Sequence, residues 1–167
     1  CILSIINDIT EQELAQEDWR KAQEALRKSE KKYRNLVETS QDIIWSLNLK
    51  GCYTFVNPAI KSIMGYEPEE VIDRLFSDFV PLTQISDVKK TFQPIFAGQS
   101  LVRQHVIKVS KSGKWVHLLV NAFPVYNSQG RVIGITGTAS DITEQKTTER
   151  ALQLIVEATA SKTGQDF

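Results

Sequence analysis

Proline and glycine are spread so unevenly along this chain that they set the limits of its architecture. All five Pro and most of the Gly fall between residues 41 and 140. Residues 11–40 carry neither and are rich in charge, and residues 144–160 return to the same composition. Helix interiors disfavour both residues, whereas tight turns require them. The distribution therefore predicts a turn-rich folded centre between two helical arms.

The bulk properties agree with a single ordinary domain plus appendages. Hydrophobic residues make up 41% of 167, enough for a real core and too many for global disorder. Lys plus Arg number 20 and Asp plus Glu number 20. That balance offers no field to recruit nucleic acid or an anionic membrane. No apolar run approaches the roughly 20 residues that span a bilayer, so no direct membrane insertion is expected. The opening Cys1-Ile2-Leu3-Ser4-Ile5-Ile6 is short and lacks the basic start of a signal peptide. Two cysteines, Cys1 and Cys52, make no disulfide framework and fit a reducing, cytoplasmic setting.

The first arm carries a seam. Ala15, Trp19, Ala22, Leu26, Ser29, Tyr33 and Leu36 recur at alternating steps of four and three, the pattern of a coiled coil. The seam predicts a homodimer. The other reading is one amphipathic helix lying on its own domain, with Ser29 restarting it as an N-cap.

In the centre, Ile43, Trp45, Leu47 and Leu49 alternate with Ile44, Ser46 and Asn48, the period of a strand. Lys50-Gly51 turns the chain into a second strand over residues 52–56. Asn57-Pro58 opens a helix, with Asn57 as its expected cap. Residues 68–75 read as a short helical turn and residues 87–97 as a longer helix interrupted by Pro94. Three strands follow, over residues 101–110, 114–125 and 131–139, joined by short Gly-containing turns that favour antiparallel hairpins. The fold class is α+β: an antiparallel sheet with helices inserted between its second and third strands.

One string occurs twice. Asp8-Ile9-Thr10-Glu11-Gln12 returns as Asp141-Ile142-Thr143-Glu144-Gln145. Repetition over such a distance suggests tandem copies of one module. Asp followed three positions later by Glu also resembles a capping box at the start of a helix. The second copy, placed after a Gly-rich final strand, resembles the PAC motif that closes a PAS domain. Other stretches match in order: Ser29-Glu30-Lys31-Lys32-Tyr33-Arg34-Asn35-Leu36 resembles the entering helix, and Asp42-Ile43-Ile44-Trp45-Ser46-Leu47 with Phe55-Val56-Asn57-Pro58 resembles the first hairpin. Met64-Gly65-Tyr66, Lys111-Ser112-Gly113, Trp115-Val116 and Gly130-Arg131-Val132-Ile133-Gly134 continue the resemblance, which covers residues 29–145.

The resemblance implies a PAS fold, with five antiparallel strands and inserted helices around a small pocket. It assigns residues 1–10 to the last strand of a preceding PAS-like domain, residues 11–28 to a linking coiled-coil helix and residues 29–143 to the PAS domain. Residues 144–167 become a connecting helix leading into a further sensory module that resembles a GAF domain. The implied function is a sensory relay and dimerisation module of a two-component sensor histidine kinase, partnered by the sensory and output domains of its own chain. The alternative is a small-ligand or cofactor receptor.

Chemistry within the chain is sparse. His105 and His117 lie on strands, and no nucleotide loop, metal-spaced His or Cys pair, or nucleophile elbow is present. No catalytic or metal site is expected. Light-sensing relatives place a reactive Cys where Asp73-Arg74-Leu75-Phe76 puts Phe76, which disfavours a flavin adduct. Haem-binding relatives draw a His from the long helix, and residues 86–98 contain none. No cofactor is therefore expected. Strand alternation and the family pattern turn Trp45, Tyr53, Phe55, Val116, Leu118, Val120, Ala122, Ile133, Ile135 and Gly137 inward. These are mostly large and apolar, so a filled core is the simpler expectation and a ligand-sized pocket the other. Gln104 and Lys108 are the polar candidates for such a pocket, although Lys108, near a strand end, is expected to snorkel to solvent. Trp115, Leu119 and Phe123 take the opposite phase and call for a cover: the entering helix, a second subunit, or both. Asp141, Thr143 and Glu144 mark the junction where the last strand would pass motion to the following helix.

Overall fold

The computed structural model describes the backbone of residues 2–163 and the side chains of residues 13–159. The chain divides into two units at Thr39 and Ser40.

The first unit is α1, Ile2–Glu38, one unbroken helix of 37 residues. Lys21–Glu17 and Lys28–Glu24 ion pairs at 3.0 and 3.3 Å follow its i, i+4 spacing. Both pairs are exposed, and each contributes a few tenths of a kcal/mol. Two expectations fail here. Residues 2–10, expected as a strand, are helical: a strand must find neighbours for its N–H and C=O groups, and a helix satisfies them within the segment. Ser29 does not restart the helix, because one Ser in a run of good helix formers costs too little to break it. Trp19, Leu26, Tyr33 and Leu36 are all more than half exposed.

The second unit is a five-stranded antiparallel sheet. Its strands are β1 (Ile43–Asn48), β2 (Tyr53–Val56), β3 (Leu101–Val109), β4 (Trp115–Tyr126) and β5 (Val132–Asp141), in the order β2-β1-β5-β4-β3. Between β2 and β3 lie α2 (Ala59–Met64), α3 (Pro68–Val71), two 3₁₀ turns (Phe76–Phe79 and Leu82–Gln84) and α4 (Ile85–Phe96). After β5 comes α5, Thr143–Thr163. The core lies between the sheet and the inserted helices. β1 contributes Ile43, Trp45 and Leu47, and β4 contributes Val116, Leu118, Val120 and Ala122, as their alternation predicts. Val88, Phe92 and Ile95 form the buried stripe of α4.

Two bulges overturn inward assignments made by simple alternation. Ser46 pairs with Phe55 but Leu47 pairs with Tyr53, so Thr54 is an extra residue. Tyr53 keeps to the inner side and Phe55 turns out, 42% exposed. Val125 pairs with Gly134 and Tyr126 with Val132, which makes Ile133 the extra residue on β5 and leaves it exposed. Asn57 is also corrected. It is completely buried, accepts from the Ile44 N–H through Oδ1 at 2.9 Å and donates from Nδ2 to the Asp42 carbonyl at 3.0 Å. Its side chain therefore ties down the start of β1 instead of capping α2.

Candidate functional site

The inner face of the sheet and the inserted helices enclose a cavity of about 40 Å³. Trp45, Tyr53, Lys108, Leu118 and Val120, all expected at a pocket, do line it. Ile135 is fully buried in the surrounding core, outside the lining. Phe55 and Gln104 do not belong to it. Phe55 is turned out by the Thr54 bulge, and Gln104 lies in a surface groove beside Gln84 and Thr91. Gln104 keeps the inward phase, paired with Val120, but it sits farther along the edge strand β3 than Lys108 and faces that groove beside α4 instead of the cavity.

Aromatic rings set the shape of the cavity. Tyr53 meets Trp45 edge-on at 6.5 Å and Phe79 edge-on at 5.8 Å, and Phe76 stacks on Phe92 at 5.2 Å. Phe79 and Phe92 were missed from sequence, although the 88, 92, 95 spacing of α4 carried a helical signal for Phe92. Lys108 does not snorkel. It is only 7% exposed, donates from Nζ to the Phe76 carbonyl at 2.6 Å and holds Nζ 5.5 Å from the centre of the Phe76 ring. Burial drives its pKa down to about 7, against a weaker opposing pull from Asp78. Burial likewise pushes the Tyr53 phenol well above its ordinary value.

The strand-to-helix junction is a second constellation. Asp141 Oδ1 accepts the Thr143 N–H at 2.8 Å, at the first residue of α5. Thr143 Oγ1 accepts the His117 N–H at 3.0 Å, and the His117 carbonyl accepts the Ile142 N–H at 2.9 Å. The helix start is thus stitched to β4 through one residue. Glu144 is exposed and takes no part in these bonds, so the expected capping box is reduced to its Asp141 half. His117 in turn meets His105 across β3 and β4, ring nitrogens 2.9 Å apart and rings stacked at 5.1 Å. Partial burial, then His117 and Lys146, hold His105 below its usual pKa. Sequence had offered these two only as unremarkable sheet histidines. On the same outer face Trp115 and Phe123 are exposed and Leu119 is half-buried. The described residues contain no group of three or more metal-binding side chains, and none of their helices is long and apolar enough to cross a membrane.

The sequence profile of the family described as "PAS fold" matches residues 37–147. This chain belongs to the PAS fold family. The match runs from the last turn of α1 into the first turn of α5, so it takes in the whole sheet, the cavity and the junction. The PAS domain of a protein from Colwellia psychrerythraea superposes with a TM-score of 0.62 at 16% identity, covering 68% of this chain and 97% of that one. At that identity the likeness speaks for the fold alone. The signal transduction histidine-protein kinase AtoS of Escherichia coli is 25% identical over 132 residues, 77% of this chain and 21% of that protein. The methanogenesis regulatory histidine kinase FilI of Methanothrix harundinacea is 25% identical over 118 residues, 71% of this chain and 13% of that protein. The chain thus spans about a fifth or less of the length of these two kinases.

Proposed function

We propose that this PAS domain is a sensory relay and dimerisation module of a cytoplasmic two-component sensor histidine kinase, itself non-catalytic, working between the sensory and output domains of its own chain. The observation that carries this reading is the junction, where Asp141, Thr143 and His117 fasten the first turn of α5 to the sheet. A shift of β4 or β5 would be felt at once by that helix, and a helix with two registers is a sufficient output. The kinase similarity supports the same reading. No flavin, haem, nucleic acid or membrane contact enters it.

Asp141→Ala tests the junction. It removes the acceptor of the Thr143 N–H, at an expected cost of about 0.5–2 kcal/mol. Hydrogen exchange should rise over residues 141–150 and hardly at all in the strands. A uniform rise would make Asp141 a general stability residue, and no change would refute the coupling.

The dimer rests on the exposed seam of α1, with Trp19, Leu26, Tyr33 and Leu36, and on Trp115, Leu119 and Phe123 as further packing surface. A chain beginning at Ser40 should dimerise more weakly in light scattering than the full chain. Equal dimer content in both would remove α1 from the interface.

A second reading, a small-ligand receptor, is favoured by one observation: the cavity persists among large apolar side chains and has a lysine in its wall. Saturable binding of a small molecule at the cavity, seen in side-chain NMR shifts, is its test.

A further inference from the structure

The cavity wall is chemically one-sided. Its polar side chains, Lys108, Tyr53 and Trp45, bring N–H and O–H donors, only the Tyr53 phenol oxygen among them can also accept, and no carboxylate or carboxamide side chain joins them. One hydrogen of the Lys108 ammonium is taken by the Phe76 carbonyl, which leaves two to offer. The rest of the wall is aliphatic or aromatic apart from the Met64 thioether. A cation with a single neutral acceptor, enclosed by hydrocarbon, is a site in want of an anion.

Resting on the receptor reading above, we propose that this cavity binds a small apolar monocarboxylic acid, its carboxylate on Lys108 Nζ and its tail against Phe92, Leu118 and Val120. Size sets the class. A cavity of about 40 Å³ holds roughly three water-sized positions, so a tail of two or three carbons fits and a fatty acid does not. Charge sets it too. One lysine balances one negative charge, and an apolar wall rejects a second. Direct Arg–carboxylate forks are absent from the lining, so the contact is that of a point charge.

Protonation is linked to binding. The Lys108 amine of the free domain titrates near pH 7. The groups that bear on it are Asp78, on the 3₁₀ turn that also supplies the Phe76 carbonyl, and the neutral Tyr53 phenol on β2. The cavity faces of β1, β4, β5, α2, α3 and α4 present no ionisable side chain. The carboxylate selects the ammonium, so above pH 7 each binding event takes up a proton.

The test is an NMR titration of the full chain with propionate, 1-propanol and propylammonium at constant ionic strength, read at the Leu118 and Val120 methyls. Propionate should bind saturably at pH 6.5, 1-propanol at least tenfold more weakly, and propylammonium not at all. Propionate affinity should fall nearly tenfold per pH unit between about 7.5 and 9. Lys108→Met should lose propionate at least tenfold and keep 1-propanol. The pH series on the unaltered chain decides the matter if that variant misfolds. Equal binding of propionate and 1-propanol, a flat pH series, or undiminished propionate binding in Lys108→Met overturns acid selection and leaves a receptor for neutral molecules. Failure of all three probes to shift the cavity methyls removes the acid and the receptor reading together.

Discussion

Gly137→Ala is expected to cost about 4 kcal/mol or more, a large share of the roughly 5–15 kcal/mol that holds a domain folded at 25 °C. Gly137 sits at the middle of β5, the central strand, paired to Trp45 on one side and Ala122 on the other. A Cβ there would run into the backbone carbonyl oxygen of Asn121 and would stand 2.6 Å from Cζ2 of Trp45. A carbonyl in a sheet ladder cannot rotate away without breaking its own hydrogen bonds. The indole is held as well, with Tyr53 edge-on at 6.5 Å and Phe92 tilted against it at 6.4 Å. Either the strands part or Trp45 gives up its place in the core, and both are overpacking at its most severe. Urea unfolding followed by tryptophan fluorescence measures the loss. A midpoint near that of the unaltered chain would mean that β4 and β5 can slide apart cheaply, and the close approach would then carry no energetic weight.

The same residue explains why so much of this fold could be read without coordinates. Gly137, Ile135 and Ala139 share a phase with buried neighbours on β1 and β4, and a period of two survives wherever pairing is regular. What could not be read is where pairing slips. Nothing in Tyr53-Thr54-Phe55 marks Thr54 as the extra residue, since a bulge is decided by the partner strand as well as by its own sequence. Residues 2–10 failed for a related reason: Ile and Leu serve either a strand or a helix, and the choice depends on available neighbours. The junction was legible at Asp141, which acts locally on a backbone N–H two residues away, while the bond that ties Thr143 to His117 on β4 depends on tertiary packing. The cavity was legible on its sheet side only. Phe79 reaches it from a 3₁₀ turn and Phe92 from α4, and their placement depends on how those elements dock. The depth of Lys108 was hidden in the same way, because the segment carrying Phe76 closes over it.

That buried lysine gives the second large effect. Lys108→Met should make the domain more stable by about 1–3 kcal/mol at pH 6, since an apolar side chain of similar length replaces a desolvated cation. The gain is smaller than the pKa depression alone implies, because methionine leaves the Phe76 carbonyl without its 2.6 Å donor. The pH dependence separates the two contributions. The amine titrates near its ordinary 10.5 in the unfolded chain and near 7 in the folded one. Between those values the unfolded chain holds the extra proton, so stability of the unaltered domain rises with pH across that window and levels off below it. Methionine carries no proton and adds no such slope. The advantage of Lys108→Met should therefore be greatest below pH 7 and shrink steadily towards pH 10. Urea unfolding at pH 6 and at pH 9.5 measures both gaps. If the lysine domain proves the more stable at pH 6, the bond to Phe76 outweighs the burial of charge, and Lys108 is a structural tie. If the gap is present but does not narrow with pH, methionine stabilises by packing, and the amine is solvated in a way that its burial does not suggest.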